Sequence, residues 1–261
     1  MHKEFYAEYF KIEDKHWWFV GRRRIFLDIL DKYLPKPAGG RPRRILDMGC
    51  GTGTMLNYLS RYGRAEGIDA DEEAVRFCHE RGITQVRQVS ALPLPFEDDT
   101  FDLVTALDVI EHIEDDLGTL RELYRVLRPG GTLLMSVPAY KFLWGAQDEI
   151  SNHKRRYVAP QVRERLRATG FKVRRLSYFN TFLFPIIAGI RLVRPYKPGS
   201  TDLKSDFTMT KGGLSNKILG YLFGMEAPLV TRLNLPFGVS ILGLAYKPRK
   251  ADGRAAETER S

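Results

Sequence analysis

A chain of 261 residues has room for one large α/β domain, or for one domain with a substantial insertion, and its 43% hydrophobic and 11% aromatic residues can fill a core. Lysine and arginine outnumber aspartate and glutamate by 41 to 32, a formal charge of +9 that calls for an anionic partner such as nucleic acid, an anionic membrane or a phosphorylated substrate. The two cysteines, Cys50 and Cys78, sit in no metal-spaced cluster, which excludes a disulfide framework and zinc, fits a reducing compartment and leaves no metal expected.

Residues 1–40 read as a helical leader. Phe5, Tyr9 and Ile12 recur at helical spacing, then Ile25, Phe26, Ile29 and Leu30 repeat the pattern. Between them stand His16, Trp17, Trp18 and Phe19, followed by Arg22, Arg23 and Arg24. Such a cluster either forms a lid over a ligand or staples the first helix to the core with its arginines in solvent. The start of the chain lacks the apolar core of a secretory signal, and no apolar run reaches the ~20 residues of a bilayer span. A cytoplasmic location is expected, with peripheral contact at the inner face of the membrane as an option. Pro35 to Pro42 ends the leader as a loop.

The chain is organised around Arg44-Ile-Leu-Asp-Met-Gly-Cys-Gly-Thr-Gly53. A short apolar strand leads into an acid, Asp47, and three alternating glycines, Gly49, Gly51 and Gly53, precede a helical stretch from Thr54. Strand, glycine turn and helix start bring backbone close to a ligand and make amide N–H groups converge. The nicotinamide fingerprint would place glycine at Thr54, one residue later than here. An acid two residues before the first glycine would repel a pyrophosphate and suits a cationic ammonium. Asp-x-Gly-x-Gly-x-Gly therefore resembles the first motif of class I S-adenosylmethionine (SAM)-dependent methyltransferases.

Downstream segments extend the resemblance. A second strand ends at Asp69, about twenty residues past the turn, where an acid can hold ribose hydroxyls; Asp71 is the better cap for the helix that follows. A third strand, Gln85 to Val89, runs into Ser90-Ala91-Leu92-Pro93-Leu94-Pro95-Phe96, and Phe101-Asp102 opens a fourth, Leu103 to Leu107, apolar as in a strand buried on both faces. Asp108 to Ile113 then corresponds to the segment that in the family closes the cofactor pocket and opens toward substrate. A helix through Leu117, Leu120, Leu123 and Leu127 is stopped by Arg128-Pro129-Gly130-Gly131, and strand five runs from Thr132 to Val137.

What the resemblance implies is an α/β fold: a seven-stranded Rossmann-like sheet, mostly parallel with strand seven antiparallel, and helices on both faces. It implies SAM as cofactor and S-adenosylhomocysteine as product. Asp47, Gly49, Cys50, Gly51, Gly53, Asp69, Ala70, Ser90, Ala91, Leu92, Leu107 and Asp108 are the expected cofactor residues, with Trp18 and Arg22 reaching in from the leader.

Beyond Pro138 the pattern loosens. Tyr140 to Tyr157 reads as irregular, a helix starts at Pro160, and Gly170 precedes a sixth strand, Phe171 to Ser177. Val239 to Tyr246 reads as the seventh. The expected organisation is a leader (1–40), a SAM-binding core (41–180), a helical insertion (181–238) and the last strand with a polar tail (239–261). The insertion carries Phe182, Leu183, Phe184, Ile186 and Ile187, then Arg191, Arg194 and Lys197, and a helical stretch, Leu214 to Leu233. It is either a buried cap or a lid that touches a membrane interface with cations at the headgroups.

An oxygen nucleophile needs a base to accept methyl, and histidine titrates near neutrality. His112 and His153 are the candidates, and Asp148 or Glu149 could orient the latter. Asp148, Trp144, Arg156 and Tyr157 are the expected substrate residues. Lys154, Arg155 and Arg156 invite a nucleic-acid reading, but no recognition module accompanies them. The expected activity is methyl transfer to a small or amphiphilic acceptor, preferentially at oxygen. A tRNA or rRNA base methyltransferase and a non-catalytic SAM-binding protein are the alternatives.

Overall fold

The computed structural model describes residues 3–36, 40–90, 92–193, 196 and 213–249. Ala91, Arg194, Lys197 and the tail from Lys250 lie outside them. The expected sheet is present. Its strands are β1 (Arg43–Met48), β2 (Gly63–Asp69), β3 (Val86–Gln88), β4 (Phe101–Leu107), β5 (Leu127–Pro138), β6 (Lys172–Phe179) and β7 (Ser240–Tyr246). They pair in the order β3-β2-β1-β4-β5-β7-β6. All neighbours are parallel except β7, which runs antiparallel to both β5 and β6. The order reverses beside β1, so the carboxyl ends of β1 and β4 flank the crevice where such sheets take ligands.

Apolar residues on alternate faces of these strands bury two layers of helix. Against one face, α2 (Trp17–Tyr33) packs Ile25, Phe26, Ile29 and Leu30 on Ile45, Leu103, Leu134 and Leu242. Against the other, α5 (Asp116–Val126) and α7 (Ala159–Ala168) contribute Leu120, Leu123, Val162 and Leu166. The remaining helices are α1 (Lys3–Ile12), α3 (Thr54–Leu59), α4 (Glu72–Glu80), α6 (Ala146–Ile150), α8 (Phe184–Val193), α9 (Gly213–Gly224) and α10 (Ala227–Val230). Asp71 caps α4, its side chain accepting from Glu73 N at 3.0 Å.

Several boundaries differ from the sequence reading, each for a local reason. The leader breaks into two helices at residues 13–16, where the His16 side chain accepts from Trp18 N at 3.3 Å and restarts the helix. Strand β5 starts at Leu127 and runs through the Pro-Gly-Gly segment instead of starting after it. Gly130 adopts φ +83° there, and its amide bonds Lys247 O at 2.7 Å while Lys247 N bonds Gly131 O at 3.0 Å. The stretch Leu214 to Leu233 is two helices, interrupted at Met225–Glu226 before Pro228. The segment from Tyr140 to Tyr157 contains α6 and a single 3-10 turn, Lys141–Leu143.

The insertion between β6 and β7 sits on the leader. A Cβ on Gly21 of α2 would lie 2.5 Å from the Phe223 ring of α9, so only glycine lets these helices approach so closely. Asn216 of α9 accepts from Trp17 N and donates to Lys15 O, both at 2.9 Å. The outer surfaces of α8 and α9 leave large apolar side chains in solvent, among them Ile186, Ile190, Leu192, Leu214, Ile218 and Tyr221. No helix among the described residues is long and apolar enough to cross a membrane.

Candidate active site

A cavity of about 590 Å³ opens over the carboxyl ends of β1 and β4. Its floor is the glycine turn. Gly49 and Gly51 adopt φ of +68° and +54°, backbone that L side chains avoid. The amides of Gly49 and Cys50 both bond Ile68 O, at 2.8 and 3.0 Å, which ties the turn to β2. A Cβ on Gly49 would run into Val109 Cγ2, whereas one on Gly51 would meet nothing within 4 Å and project into open space. Gly53, the N-cap of α3, faces Ile83 and Cys78 instead of the cavity, so its role is packing.

Asp47 lines the floor and is 2% exposed. Thr105, its register partner on β4, donates to Asp47 Oδ1 at 2.5 Å. Burial pushes the Asp47 carboxyl up to about 7, against the Thr105 hydrogen bond, and nearby Asp69 adds to the rise. The Thr52 hydroxyl, also on the wall, is buried without a hydrogen-bond partner among the described residues. Space beside Gly51, a buried acid and an orphaned hydroxyl together fit a polar ligand carrying a cation.

Asp69, expected to hold ribose, accepts from Gly51 N at 2.9 Å and from Asp71 N at 3.0 Å. It therefore pins the glycine turn to the end of β2, while each of its oxygens keeps a second acceptor position. Asp69, Ala70, Ser90 and Leu92 are not part of the cavity wall. Above this end, Tyr6 of α1 packs with Ala74 and Phe77 of α4, and the rings of Phe10 and Phe77 lie 4.8 Å apart.

The leader forms one wall. Trp17 and Trp18 line the cavity and also pack edge-on and tilted against Phe223 of α9, with centroids 5.8 and 5.4 Å away. Arg22 pairs with Asp108, and Asp108 Oδ1 accepts from Ser136 Oγ at 2.8 Å. These two expected cofactor residues are thus each other's partner at the cavity edge, beside Leu107.

The far wall gathers residues from two segments. Asp148 is fully buried and accepts both Arg156 Nε and Nη2, at 2.8 and 2.9 Å, as well as Gly145 N at 2.8 Å. His153 Nδ1 lies 2.7 Å from Asp148 Oδ1. Burial alone would raise the Asp148 carboxyl, but His153 and Arg156 outweigh it and hold the group below its usual range. An ionised carboxylate only accepts, so His153 donates from Nδ1 and, in the neutral ring, carries a lone pair on Nε2. That nitrogen faces Glu111 Oε1 at 3.7 Å. The rings of His112 and His153 stand edge to face with centroids 4.8 Å apart. Burial, reinforced by His153, pushes His112 down to about 4.

Of the four expected substrate residues only Arg156 lines the cavity; Asp148 is fully buried behind it, held by His153 and Arg156, and the other two point elsewhere. Tyr157 is buried and donates to Asp116 at 3.0 Å, and Trp144 Nε1 donates to Glu149 at 2.8 Å; neither lines the cavity. The basic run is engaged internally: Lys154 pairs with Glu114, Arg155 with Asp116 and Glu114, and Arg156 with Asp148. Sequence reasoning missed Glu111 as a site residue, although an acid beside His112 at the end of β4 was a signal. It also missed Tyr9 and Gln147, whose side chains meet at 2.6 Å on the cavity wall. They are 138 residues apart and no local pattern links them.

With this geometry in place, comparison with known proteins is informative. Residues 46–135 match the model of a methyltransferase domain family. A probable SAM-dependent methyltransferase of Mycolicibacterium smegmatis is 31% identical over 166 residues, 62% of this chain and 62% of that protein. The ubiquinone/menaquinone biosynthesis C-methyltransferase of Enterobacter sp. (strain 638) is 32% identical over 151 residues, 52% of this chain and 59% of that protein. The chain thus spans less than two thirds of the length of either relative. The structure of Haemonchus contortus phosphoethanolamine N-methyltransferase 2 with SAM superposes with a TM-score of 0.55 at 21% identity, covering 86% of this chain and 52% of that one, a likeness of fold alone. Residues 46–135 thus carry a domain similar to those of SAM-dependent methyltransferases, on a sheet of the same fold.

Proposed function

We propose that this protein transfers a methyl group from SAM to an oxygen of an amphiphilic small molecule. The carrying observation is a single cavity with the glycine turn at one end, the Asp148-oriented His153 at the other, and the exposed apolar face of α8 at its rim. When bound, SAM supplies a methyl already activated by its sulfonium. The chain's own residues position, exclude water and handle a proton. Asp47 and the turn of Gly49 to Gly51 would hold the amino-acid end, and Asp69 the ribose. The Arg22–Asp108 pair and the tryptophans of α2, the leader's contribution as a lid, would close the site.

The preference for oxygen rests on His153. Fixed by Asp148 through Nδ1, it lines the cavity with Nε2 beside Glu111, and a hydroxyl nucleophile is the acceptor that needs such a proton-accepting group nearby. The amphiphilic class rests on α8. Ile187 and Ile190 line the cavity while Ile186, Leu192 and Val193 continue the apolar surface outward, a path suited to a hydrocarbon tail. The pairing of Arg155 with Asp116 and of Arg156 with the buried Asp148 weighs against the RNA alternative, because cations held by such carboxylates release few counterions from phosphate.

The test is transfer of labelled methyl from SAM to panels of hydroxylated amphiphiles, amines and unmodified tRNA. Label on an amphiphile hydroxyl supports the reading. Label on RNA overturns it, and tight SAM binding without transfer to any acceptor favours a non-catalytic role.

A further inference from the structure

Glu111 is the anomaly of the site. Its carboxyl is fully buried, yet neither oxygen makes a hydrogen bond to another of the described residues, a costly arrangement unless something else satisfies it. It lies on the cavity wall, as do His112 and His153, and one potential ligand atom from each of the three falls within 4.8 Å of the others.

His153 is oriented the way a ligand is. A metal-bound imidazole gives one nitrogen to the ion and donates the other N–H to a carboxylate or main-chain carbonyl. His153 gives Nδ1 to Asp148, which leaves Nε2 at 3.7 Å from Glu111 Oε1, too far for a hydrogen bond and near enough for both atoms to reach one ion. Zinc with bonds of ~2.0–2.1 Å in a tetrahedral shell separates adjacent ligand atoms by about 3.3 Å; His153 Nε2 and Glu111 Oε1 are 3.7 Å apart and the three ligand atoms lie within 4.8 Å of one another, so an ion would draw the side chains inward. The backbone holds this pairing: Lys154 N donates to Glu111 O at 2.9 Å, which clamps the turn carrying His153 onto the 3-10 turn Ile110–His112.

We propose that Glu111, His112 and His153 bind one divalent transition-metal ion, with Zn²⁺ the best match to two imidazoles and a carboxylate, and that its open position takes the acceptor's hydroxyl oxygen. The cysteine count spoke against zinc, but these ligands come from a histidine and carboxylate set that spacing along the chain does not reveal. The second half of the proposal rests on the methyl-transfer reading. A coordinated hydroxyl loses its proton to solvent more readily. Its oxygen then forms the new C–O bond as the C–S bond of the donor breaks and the electron pair stays on sulfur. In the metal-loaded protein the His153 lone pair serves the ion, and coordination replaces hydrogen bonding as the means of acidifying the acceptor.

The test uses untagged full-length protein stripped with chelator. Zn²⁺ uptake is measured by equilibrium dialysis with elemental analysis, and Co²⁺ serves as a spectroscopic probe of nitrogen ligation. One equivalent is expected for the wild type. Glu111→Gln and His153→Gln are expected to bind at least a hundredfold more weakly, and Asp148→Asn about tenfold to a hundredfold more weakly because it frees the ring orientation. SAM affinity, measured in parallel, confirms that each variant is folded. No stoichiometric binding by the wild type, or equal binding by Glu111→Gln and His153→Gln, overturns the site. Stoichiometric zinc without any methyl transfer would keep the site and discard the proposed activity.

Discussion

The two ends of the cavity are built by opposite strategies. The end proposed for SAM is made by ten consecutive residues, Arg44 to Gly53, whose positive φ angles and acid are written into a local motif, reinforced from outside by Ile68, Asp69 and Thr105. The acceptor end draws Glu111 and His112 from the turn after β4 and Asp148, His153 and Arg156 from beyond β5, and depends on side chains meeting across the fold. Main chain close to a ligand tolerates little variation, whereas an end built from side chains can be re-equipped for a different acceptor on the same sheet.

The largest effect should come from breaking the SAM end alone. Gly49→Val is a poor probe because its Cβ would strike Val109 and disturb packing as well as the ligand. Gly51→Val meets no protein atom within 4 Å and fills ligand space, at a backbone cost of about 1–2 kcal/mol from its φ of +54°. We expect SAM affinity by calorimetry to fall at least a hundredfold while the melting transition stays cooperative. Undiminished affinity would mean that the cofactor does not lie on this turn.

Breaking the acceptor end alone should leave the cofactor in place. His153→Ala is expected to lower turnover by about 10²-fold or more with SAM affinity unchanged within twofold. Equal turnover would remove His153 from the chemistry, and lost SAM affinity would show that the two ends are not independent.

A pH titration sharpens the comparison further. Asp47 holds its proton up to about pH 7 in the folded protein and to about 3.8 when unfolded, so between these values it makes the folded state lose stability as pH rises. The cationic ammonium of SAM selects the ionised form. Affinity should therefore rise about tenfold from pH 6 to 8, then level off, and Asp47→Asn should flatten the profile. Asp148 behaves oppositely: its carboxyl is held low, so its contribution to stability is complete above the ordinary aspartate range and is lost as pH falls through and below about 3.8. A SAM affinity independent of pH across 6 to 8 would place the ammonium away from Asp47.

The same division governs what could be read from the sequence. The glycine turn and the alternation of strands and helices follow from runs of neighbouring residues, and the antiparallel last strand from the resemblance those runs carry; the structure has all three. The extension of β5 through Pro-Gly-Gly depends on a partner distant in sequence, as does the Tyr9–Gln147 contact. Asp148 and His153 are five apart, close enough for an orienting acid to be anticipated from spacing. Glu111 was harder to recognise, because its significance lies in what it lacks: a partner for a buried carboxylate.

The smallest expected effect concerns the rim, which belongs to neither end. Ile186 is 62% and Ile190 55% exposed on α8, so replacing both with serine removes apolar surface from solvent contact and not from the core. Stability should change by no more than about 0.5 kcal/mol per site. A long-chain acceptor would lose contacts of about 0.8 kcal/mol per buried methylene, so its KM should rise several-fold at constant kcat, whereas a truncated acceptor bearing the same hydroxyl should be unaffected. The contrast between the two acceptors is what decides the matter. A loss shared equally by both would mean that α8 shapes the site without touching the tail, and the apolar face would then need another occupant.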